Sequence, residues 1–208
     1  MRVINLILTI VSSRFFSLYA LNICVAGGTG KFGATLGSIL SDHDVTILAR
    51  NAFLAAAPAR VSSDFGWLGA TYLQKNPHVR LRDWDGGDLL DIVGKDWIGW
   101  QDDVLRKADV VVNLVGGYTQ QRVMATERIV RESLRVNPNA LQITVSPRDD
   151  IELSILSYCN AQLKMGRVKT CEDMVRQNCI NYECLRMEAN KYDENCQQIV
   201  KLIQERCL

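Results

Sequence analysis

The sequence of 208 residues has little of several features that particular functions require. It contains two histidines, His43 and His78, which leaves little room for a His-rich zinc site or a serine-hydrolase triad. Its 24 basic and 23 acidic residues give a formal charge of +1, too balanced to neutralise many nucleic-acid phosphates. No stretch reaches the roughly 18 consecutive apolar residues of a membrane span. We therefore predict no nucleic-acid partner, no metal site and no membrane-spanning helix.

Disulfide chemistry is also poorly supported. The seven cysteines form no C-x-x-C pair, and an odd number does not suit an exported disulfide framework. Five of them lie in the last 38 residues, at apolar positions of predicted helices and a strand. Because free cysteine packs as a small hydrophobe, we interpret them as reduced packing residues. The composition, 48% apolar and 23% charged, is that of an ordinary globular chain.

Acidic residues are absent from the first 41 positions, and the first one is Asp42. Within this stretch, residues 1–20 combine an early Arg2, an apolar run over 6–11, and serines around Arg14. Such a pattern is typical of targeting sequences. We interpret residues 1–20 as a targeting segment, which favours an organelle, a chloroplast or mitochondrion, while a cytoplasmic or secretory route stays open. The alternative is an N-terminal helix lying on the domain.

From residue 21 onward, short apolar runs alternate with helical patterns. The clearest run, VVVNLV at 110–115, is rich in β-branched residues and predicts a buried strand. The predicted strands are 21–26, 45–48, 79–82, 110–115, 141–145 and 181–185, and helices are predicted between them, including 149–165 and 168–178. This alternation predicts a single doubly wound α/β domain over 21–208, with a parallel sheet covered by helices on both faces.

A glycine-rich turn follows the first predicted strand directly. Its residues are Gly27, Gly28, Thr29, Gly30, Lys31, Phe32 and Gly33, with the spacing G-x-x-G-x-x-G, and a helix follows. In dinucleotide-binding folds such glycines permit a tight turn, the approach of the backbone to a pyrophosphate, and close helix packing. The N–H groups at the start of the helix then hold the phosphates. We predict a nucleotide site here; the alternative is a plain strand-to-helix turn.

The stretch CVAGGTGKFG resembles the start of the short-chain dehydrogenase/reductase superfamily, in its extended, epimerase-like and atypical branches. Residues 79–91 resemble the third strand and following turn of that superfamily, where Asp88 and Leu89 take the position that approaches the adenine. The resemblance implies an NAD(P)-binding Rossmann domain.

Three later stretches extend this resemblance over roughly residues 21–190. Residues 108–117 (ADVVVNLVGG) are similar to the fourth strand and its glycine-rich end, which makes Val115, Gly116 and Gly117 cofactor-binding candidates. Residues 122–134 resemble the helix that follows. Residues 180–186 resemble the sixth strand of the atypical, cofactor-sensing members.

The end of the second predicted strand indicates which dinucleotide is bound. An acid at this position favours NAD, whereas an Arg accommodates the 2′-phosphate of NADP. The sequence reads Leu48-Ala49-Arg50-Asn51, with no acid in reach. The Arg50 guanidinium suits a phosphate, and Lys31 adds a second positive charge near the turn. We predict that NADP(H) is the cofactor, with NAD less favoured and with Arg50 and Asn51 in the site. The alternative is that Arg50 is simply solvated.

The catalytic pair of the superfamily is missing. Its active members carry a Tyr, and four residues later a Lys that lowers the pKa of the Tyr, on the helix after the fifth strand. The weak candidates here are Ser146, Tyr158 and Lys164. Tyr158 and Lys164 are six residues apart, which turns them to different helix faces. Only 22 residues follow Arg186, so the sequence shows no substrate domain.

Two functions therefore stay open. The resemblance is closer to atypical members that lack the Tyr–Lys pair, which include redox-sensing regulators and structural subunits of organellar complexes. The first hypothesis is an NADP(H)-binding structural or regulatory subunit with little or no turnover, whose partners are the dinucleotide and other protein subunits. The second is an NADP-dependent reductase or epimerase-like enzyme with a non-standard proton donor. A scaffold with an empty site is a third, less supported hypothesis.

Overall fold

The fold is that of a computed structural model, which describes residues 20–58, 68–86, 99–148, 158–188 and 191–208. Six parallel strands form one sheet with the order β3-β2-β1-β4-β5-β6. The strands are β1 Asn22–Ala26, β2 Asp44–Ala49, β3 Val79–Asp83, β4 Val110–Asn113, β5 Leu141–Pro147 and β6 Tyr182–Met187. The order reverses between β1 and β4, which creates a crevice at the carboxyl ends of these two strands.

Helices cover both faces of this sheet. They are α1 Lys31–Ile39, α2 Ala52–Ala55, α3 Ala70–Lys75, α4 Gln120–Val136, α5 Tyr158–Asn178 and α6 Tyr192–Cys207, with a π-helical turn at Gln101–Leu105. The helices α1, α3 and α6 pack on one face, whereas the π-helical turn, α4 and α5 lie on the other. The predicted doubly wound α/β class is confirmed.

The residues of β1 show why both faces are apolar. Ile23 and Val25 belong to the core formed with α1 and α6, whereas Cys24 and Ala26 belong to the core formed with α4. Successive side chains of a strand point to opposite faces, so a strand buried on both sides must be apolar throughout. Val25 pairs in register with strands on either side, which places β1 at the centre of the sheet.

One predicted boundary is wrong within the described residues. We expected separate helices at 149–165 and 168–178, but α5 runs without interruption over Tyr158–Asn178. It passes through Gly166, where an added Cβ would meet open space. A glycine inside a helix costs about 1 kcal/mol relative to alanine and does not end it. Residues 149–157 lie outside the described residues, as does the predicted targeting segment except for Ala20.

The cysteines behave as packing residues where the structure describes them. Cys24, Cys171, Cys179 and Cys196 are free and buried. Burial raises the pKa of the Cys24 thiol to about 12, so this thiol stays protonated and unreactive at neutral pH. Among the described helices, none is long and apolar enough to cross a membrane.

Candidate functional site: a two-part cleft at the strand reversal

Two adjoining cavities occupy the carboxyl edge of the sheet. The first-half cleft, of about 510 Å³, is lined by Gly27, Thr29, Arg50, Trp84, Gly86, Val115, Gly116, Thr119 and Gln121. The second-half cavity, of about 340 Å³, lies over the ends of β4, β5 and β6 and is also bordered by α1 and α6. Gly116 lines both cavities and so joins them. Ligands of open α/β sheets bind at this strand reversal, which makes the joined cavities the candidate site.

The glycine turn has the backbone geometry that its spacing predicted. Gly27 has φ +74°, and a Cβ there would lie 2.7 Å from the backbone nitrogen of Val115. A Cβ on Gly33 would overlap the backbone of Gly28, so α1 packs directly against the turn. These two positions exclude any side chain, because the chain segments touch backbone to backbone.

Gly30 has a different role in the same turn. It is the N-cap of α1, with φ −81° and ψ 178°, and a Cβ there would have no neighbour within 4 Å among the described residues. No side chain caps α1, and its first turn contains no acidic residue. Because the positive end of the helix faces an open space beside Gly30, the turn suits an anion such as a phosphate.

Lys31 and Phe32 lie on the side of α1 that faces α6. The Lys31 ammonium is 5.0 Å from the ring centroid of Tyr192, and the Phe32 ring centroid is 6.2 Å from that ring. Phe32 lines the second-half cavity, whereas Lys31 lines neither cavity. Its proposed contribution to phosphate binding stays a prediction.

Arg50 extends along the first-half cleft from the end of β2. Its Cδ lies 2.9 Å from the Cβ position of Gly86, so the aliphatic stem packs on that glycine. The residue is exposed, and within the described part of the chain no group forms an ion pair or hydrogen bond with its guanidinium. Asn51 is the N-cap of α2 and accepts a hydrogen bond from the Leu54 nitrogen at 2.9 Å. Asn51 does not line the cleft.

The turn after β4 is held by residues that the sequence did not single out. The Oδ1 atom of Asn113 accepts a hydrogen bond from the Val115 nitrogen at 3.1 Å, and its Nδ2 atom donates to Thr126 on α4 at 2.9 Å. This bridge fixes Val115 against the cleft. Gly117 follows with φ +80° and lines the second-half cavity. Asp88 and Leu89, the predicted adenine contacts, lie outside the described residues.

A buried arginine lies beneath the second-half cavity. Arg122 on α4 is 1% exposed, and its Nη2 atom donates to the Val145 carbonyl and to the Ser146 hydroxyl, each at 3.0 Å. Its Nη1 atom reaches the Gly117 carbonyl at 3.4 Å. Sequence reasoning missed Arg122, although the helical period places it on the buried face of α4 together with Ala125.

Ser146 is held by this arginine. Its oxygen accepts a hydrogen bond from the Arg122 Nη2 atom at 3.0 Å, and the residue is buried. Burial raises the pKa of the Glu172 carboxyl on α5, but the side chains of Arg186 and Ser146 and the charges of Arg186 and Arg176 outweigh burial and hold this pKa below its ordinary value. Glu172 is therefore a carboxylate at neutral pH.

Tyr158 and Lys164 are placed by α5. Both positions belong to α5, where six residues at ~100° per residue correspond to about 600° of rotation and leave the two positions roughly 120° apart. Lys164 is exposed, and its ammonium lies 5.7 Å from the ring centroid of Tyr118. The contacts of the Tyr158 side chain lie outside the described structure. The backbone geometry gives no support to a Tyr–Lys proton shuttle.

A doubly wound sheet with a glycine turn at its strand reversal defines a dinucleotide-binding type of fold. A protein from Thermus thermophilus, described as a short-chain oxidoreductase, superposes with a TM-score of 0.52 and 13% identity, over 88% of this chain and 96% of its own. A metagenomic short-chain oxidoreductase in complex with NADP gives a TM-score of 0.51 and 14% identity, over 90% and 92% of the two chains.

The terminal R domain of the myxalamid PKS-NRPS biosynthetic pathway gives a TM-score of 0.50 and 20% identity, over 82% of this chain and 50% of its own. The amino-acid sequence matches no protein-family model and no curated protein. These structural likenesses show that the chain has the Rossmann-type fold of the short-chain oxidoreductases, as its motifs predicted.

Proposed function

We propose that this chain is an atypical member of the short-chain dehydrogenase/reductase superfamily that binds NADP(H) across the two cavities. The observation that carries the proposal is the glycine turn, where α1 begins without a side-chain cap beside the open space at Gly30. The fold supports the proposal, and one structural neighbour of the same fold is described in complex with NADP.

The residues present fit a dinucleotide that carries a 2′-phosphate. The pyrophosphate would lie at the start of α1, near Gly30 and Thr29. Arg50 at the end of β2 would hold the 2′-phosphate, since its exposed guanidinium has no other partner among the described residues. This contact assigns the adenosine to the first-half cleft and leaves the second-half cavity for the nicotinamide. Bound NADPH would supply a hydride.

We propose further that the chain turns over little or not at all and acts as a cofactor-binding regulatory or structural subunit. The buried Ser146 accepts a hydrogen bond from Arg122, and Tyr158 has no Lys four residues later. A bound dinucleotide would stabilise the fold, because a ligand that binds only the folded state shifts the unfolding equilibrium.

The proposal is tested by calorimetric titration of the purified chain with NADPH and with NADH. We expect NADPH to bind at least about tenfold more tightly, a difference of roughly 1.4 kcal/mol that one charge-assisted phosphate contact supplies. Gly30→Val should abolish binding, since the new side chain enters the space of the pyrophosphate, and Gly166→Ala on α5 is the control that should not. Equal affinities for the two dinucleotides would refute the choice of NADP(H).

A reductase with a non-standard proton donor is the second candidate. The second-half cavity of about 340 Å³ favours it, because this volume leaves room for a small substrate beside the nicotinamide. Steady NADPH oxidation with small carbonyl compounds would decide for this candidate. The organellar location implied by residues 1–20 is a separate proposal, tested by the distribution of a fluorescent fusion with and without that segment.

A further inference from the structure

The second-half cavity contains a cation that dinucleotide binding does not require. Arg122 is buried, and its three hydrogen-bond acceptors, two backbone carbonyls and the Ser146 hydroxyl, are all neutral. Its buried Nε atom has no hydrogen-bond partner within the described structure. No carboxylate among the described residues forms an ion pair with it. A buried charge without a counter-ion is costly, so its retention calls for an explanation.

The buried acid on α5 already has ion-pair partners. Glu172 pairs with Arg186 at 3.1 Å and with Arg176 at 3.2 Å, and Arg176 also lies 3.5 Å from Asp173. Each acid of this cluster is therefore paired with an arginine other than Arg122.

The acid on the wall of the cavity is neutralised as well. Glu188 lies 2.7 Å from Arg148 and 2.7 Å from Lys191, and both cations hold the pKa of its carboxyl below the ordinary value. Arg167 on α5 donates to the carbonyl of Tyr118, a residue of the cavity wall, at 2.7 Å. The described wall of the second-half cavity carries two charged residues, Arg122 and Glu188, and of these two only Glu188 has ion-pair partners among the described residues.

We propose that Arg122 makes the second-half cavity select the reduced cofactor. This inference rests on the proposed function, in which Arg50 fixes the adenosine in the first-half cleft and so directs the nicotinamide to the second half. The nicotinamide ring of NADP⁺ is cationic, whereas that of NADPH is neutral. A buried guanidinium repels the cationic ring more strongly than it would in water, because the effective dielectric constant of the site is lower.

The consequence is a binding site whose occupancy follows the ratio of NADPH to NADP⁺. Arg122 would weaken the oxidised complex and leave the reduced complex nearly unaffected. A domain that has Ser146 engaged and no Tyr–Lys pair would then report the state of the cofactor pool without consuming it. This role is a specific form of the regulatory function proposed above.

The test compares the dissociation constants of NADPH and NADP⁺ for the unmodified chain by calorimetry. We expect NADPH to bind at least about tenfold more tightly, since a repulsion worth about 1.4 kcal/mol gives a factor of ten. Adenosine 2′,5′-bisphosphate, which lacks the nicotinamide, measures the first-half cleft alone. If neither dinucleotide binds, the proposed function fails and this inference fails with it. If both bind with equal affinity, only this inference is overturned.

Substitutions test whether the charge of Arg122 causes the preference for NADPH over NADP⁺. Arg122→Met should reduce the ratio of the two constants to within about threefold and leave the bisphosphate affinity unchanged, because only the nicotinamide half loses its cation. Arg131→Met, an exposed arginine on the same helix, is the control and should keep the ratio. An unchanged ratio in folded Arg122→Met would overturn the inference.

Arg122 also holds the end of β5 and the loop after β4, so its variant can fail to fold. Glu188→Gln tests the same electrostatics without touching Arg122, at a side chain that is 32% exposed. Removal of this acid should increase the preference for NADPH, because the cavity becomes more positive. A preference that decreases in Glu188→Gln would overturn the inference even without data from Arg122→Met.

Discussion

The two halves of the cleft depend on different chemical groups of the protein. In the first half, the glycine turn depends on main chain, since Gly27 and Gly33 bring backbone segments together, and Arg50 is the exposed cation of the cleft. In the second half, two buried polar side chains, Arg122 on α4 and Ser146 on β5, are hydrogen-bonded to each other. The difference teaches that changes in the two halves should have different effects. Changes at exposed positions of the first should alter binding, whereas changes in the second should alter both stability and ligand preference.

The largest expected effect comes from Gly33→Val. The new Cβ would overlap the backbone of Gly28, and neither segment can move without separating α1 from the turn. We expect a loss of at least about 3 kcal/mol of unfolding free energy, the upper part of the range for overpacking. Urea unfolding followed by circular dichroism measures it. The control is Gly30→Val, which should fold normally because its Cβ has open space; equal destabilisation of both variants would contradict the description of this turn.

Glu172→Gln should have the next largest effect, on stability and on its pH dependence. Removal of the carboxylate leaves Arg176 and Arg186 without the charge that they share. We expect the free energy of unfolding to decrease by about 3 kcal/mol at pH 7. This value is at the low end for breaking a buried ion pair, because both arginines are nearly half exposed.

The sign of the pH dependence follows from the lowered pKa of Glu172. Its ordinary value is 4.5, and the folded-state pKa is below it. The stability that the Glu172 carboxylate contributes is therefore fully present above its pKa in the unfolded state. It is lost as pH falls through its pKa in the folded state. The difference in urea midpoint between the unmodified chain and Glu172→Gln should shrink below about pH 4. The control is Glu205→Gln, at an exposed carboxylate on α6. A constant difference down to about pH 3 would argue against the network.

Arg50→Asp tests the first half alone. The variant should lose most of the preference for NADPH over NADH, on the order of 1–3 kcal/mol for a charge-assisted phosphate contact. Stability should hardly change, because Arg50 is exposed and no described residue pairs with it. Titration calorimetry with both dinucleotides measures the preference, and Arg131→Asp on α4 serves as the control. Retention of the full preference would remove Arg50 from the site.

Tyr158→Phe should have the smallest effect. The two positions Tyr158 and Lys164 point about 120° apart on α5, so the lysine is poorly placed to lower the pKa of the phenol. Any NADPH oxidation by the chain should stay within about threefold, a tolerance for lost packing. Lys164→Met is the matched control. A hundredfold decrease in Tyr158→Phe alone would identify Tyr158 as a proton donor and favour the enzyme over the sensor.

The first half could be predicted from the sequence because its determinants are local. Strand, glycines and helix follow one another within residues 22–39, and Arg50 directly follows the next strand. The capping role of Asn51 also has a local signal, because an Asn directly before a short helix is a common N-cap. Our prediction that Asn51 contacts the cofactor did not consider this role. The division of α5 was wrong because Gly166 weakens a helix without ending it.

The second half could not be predicted, because its contacts join distant parts of the chain. Arg122 and Ser146 are separated by 24 residues, and Glu172 follows 26 residues later on another helix. The spacing of these residues in the sequence does not predict that they lie close together in the fold. Ser146 is a weak catalytic candidate on sequence alone, and only the packing of α4 against β5 shows that its oxygen accepts a hydrogen bond from Arg122.

The contact between α1 and α6 has a consequence for how the chain acquires its site. Tyr192 lies beside Phe32 and Lys31, and the Cys196 thiol reaches the Phe32 carbonyl across 164 residues of sequence. A ribosome therefore makes the glycine turn long before the helix that packs beside it. During synthesis the turn lacks this support, and the long separation makes the docking of α6 a slow, non-local step. The contacts between α1 and α6 therefore form only after residues 192–207 have been synthesised and packed against α1.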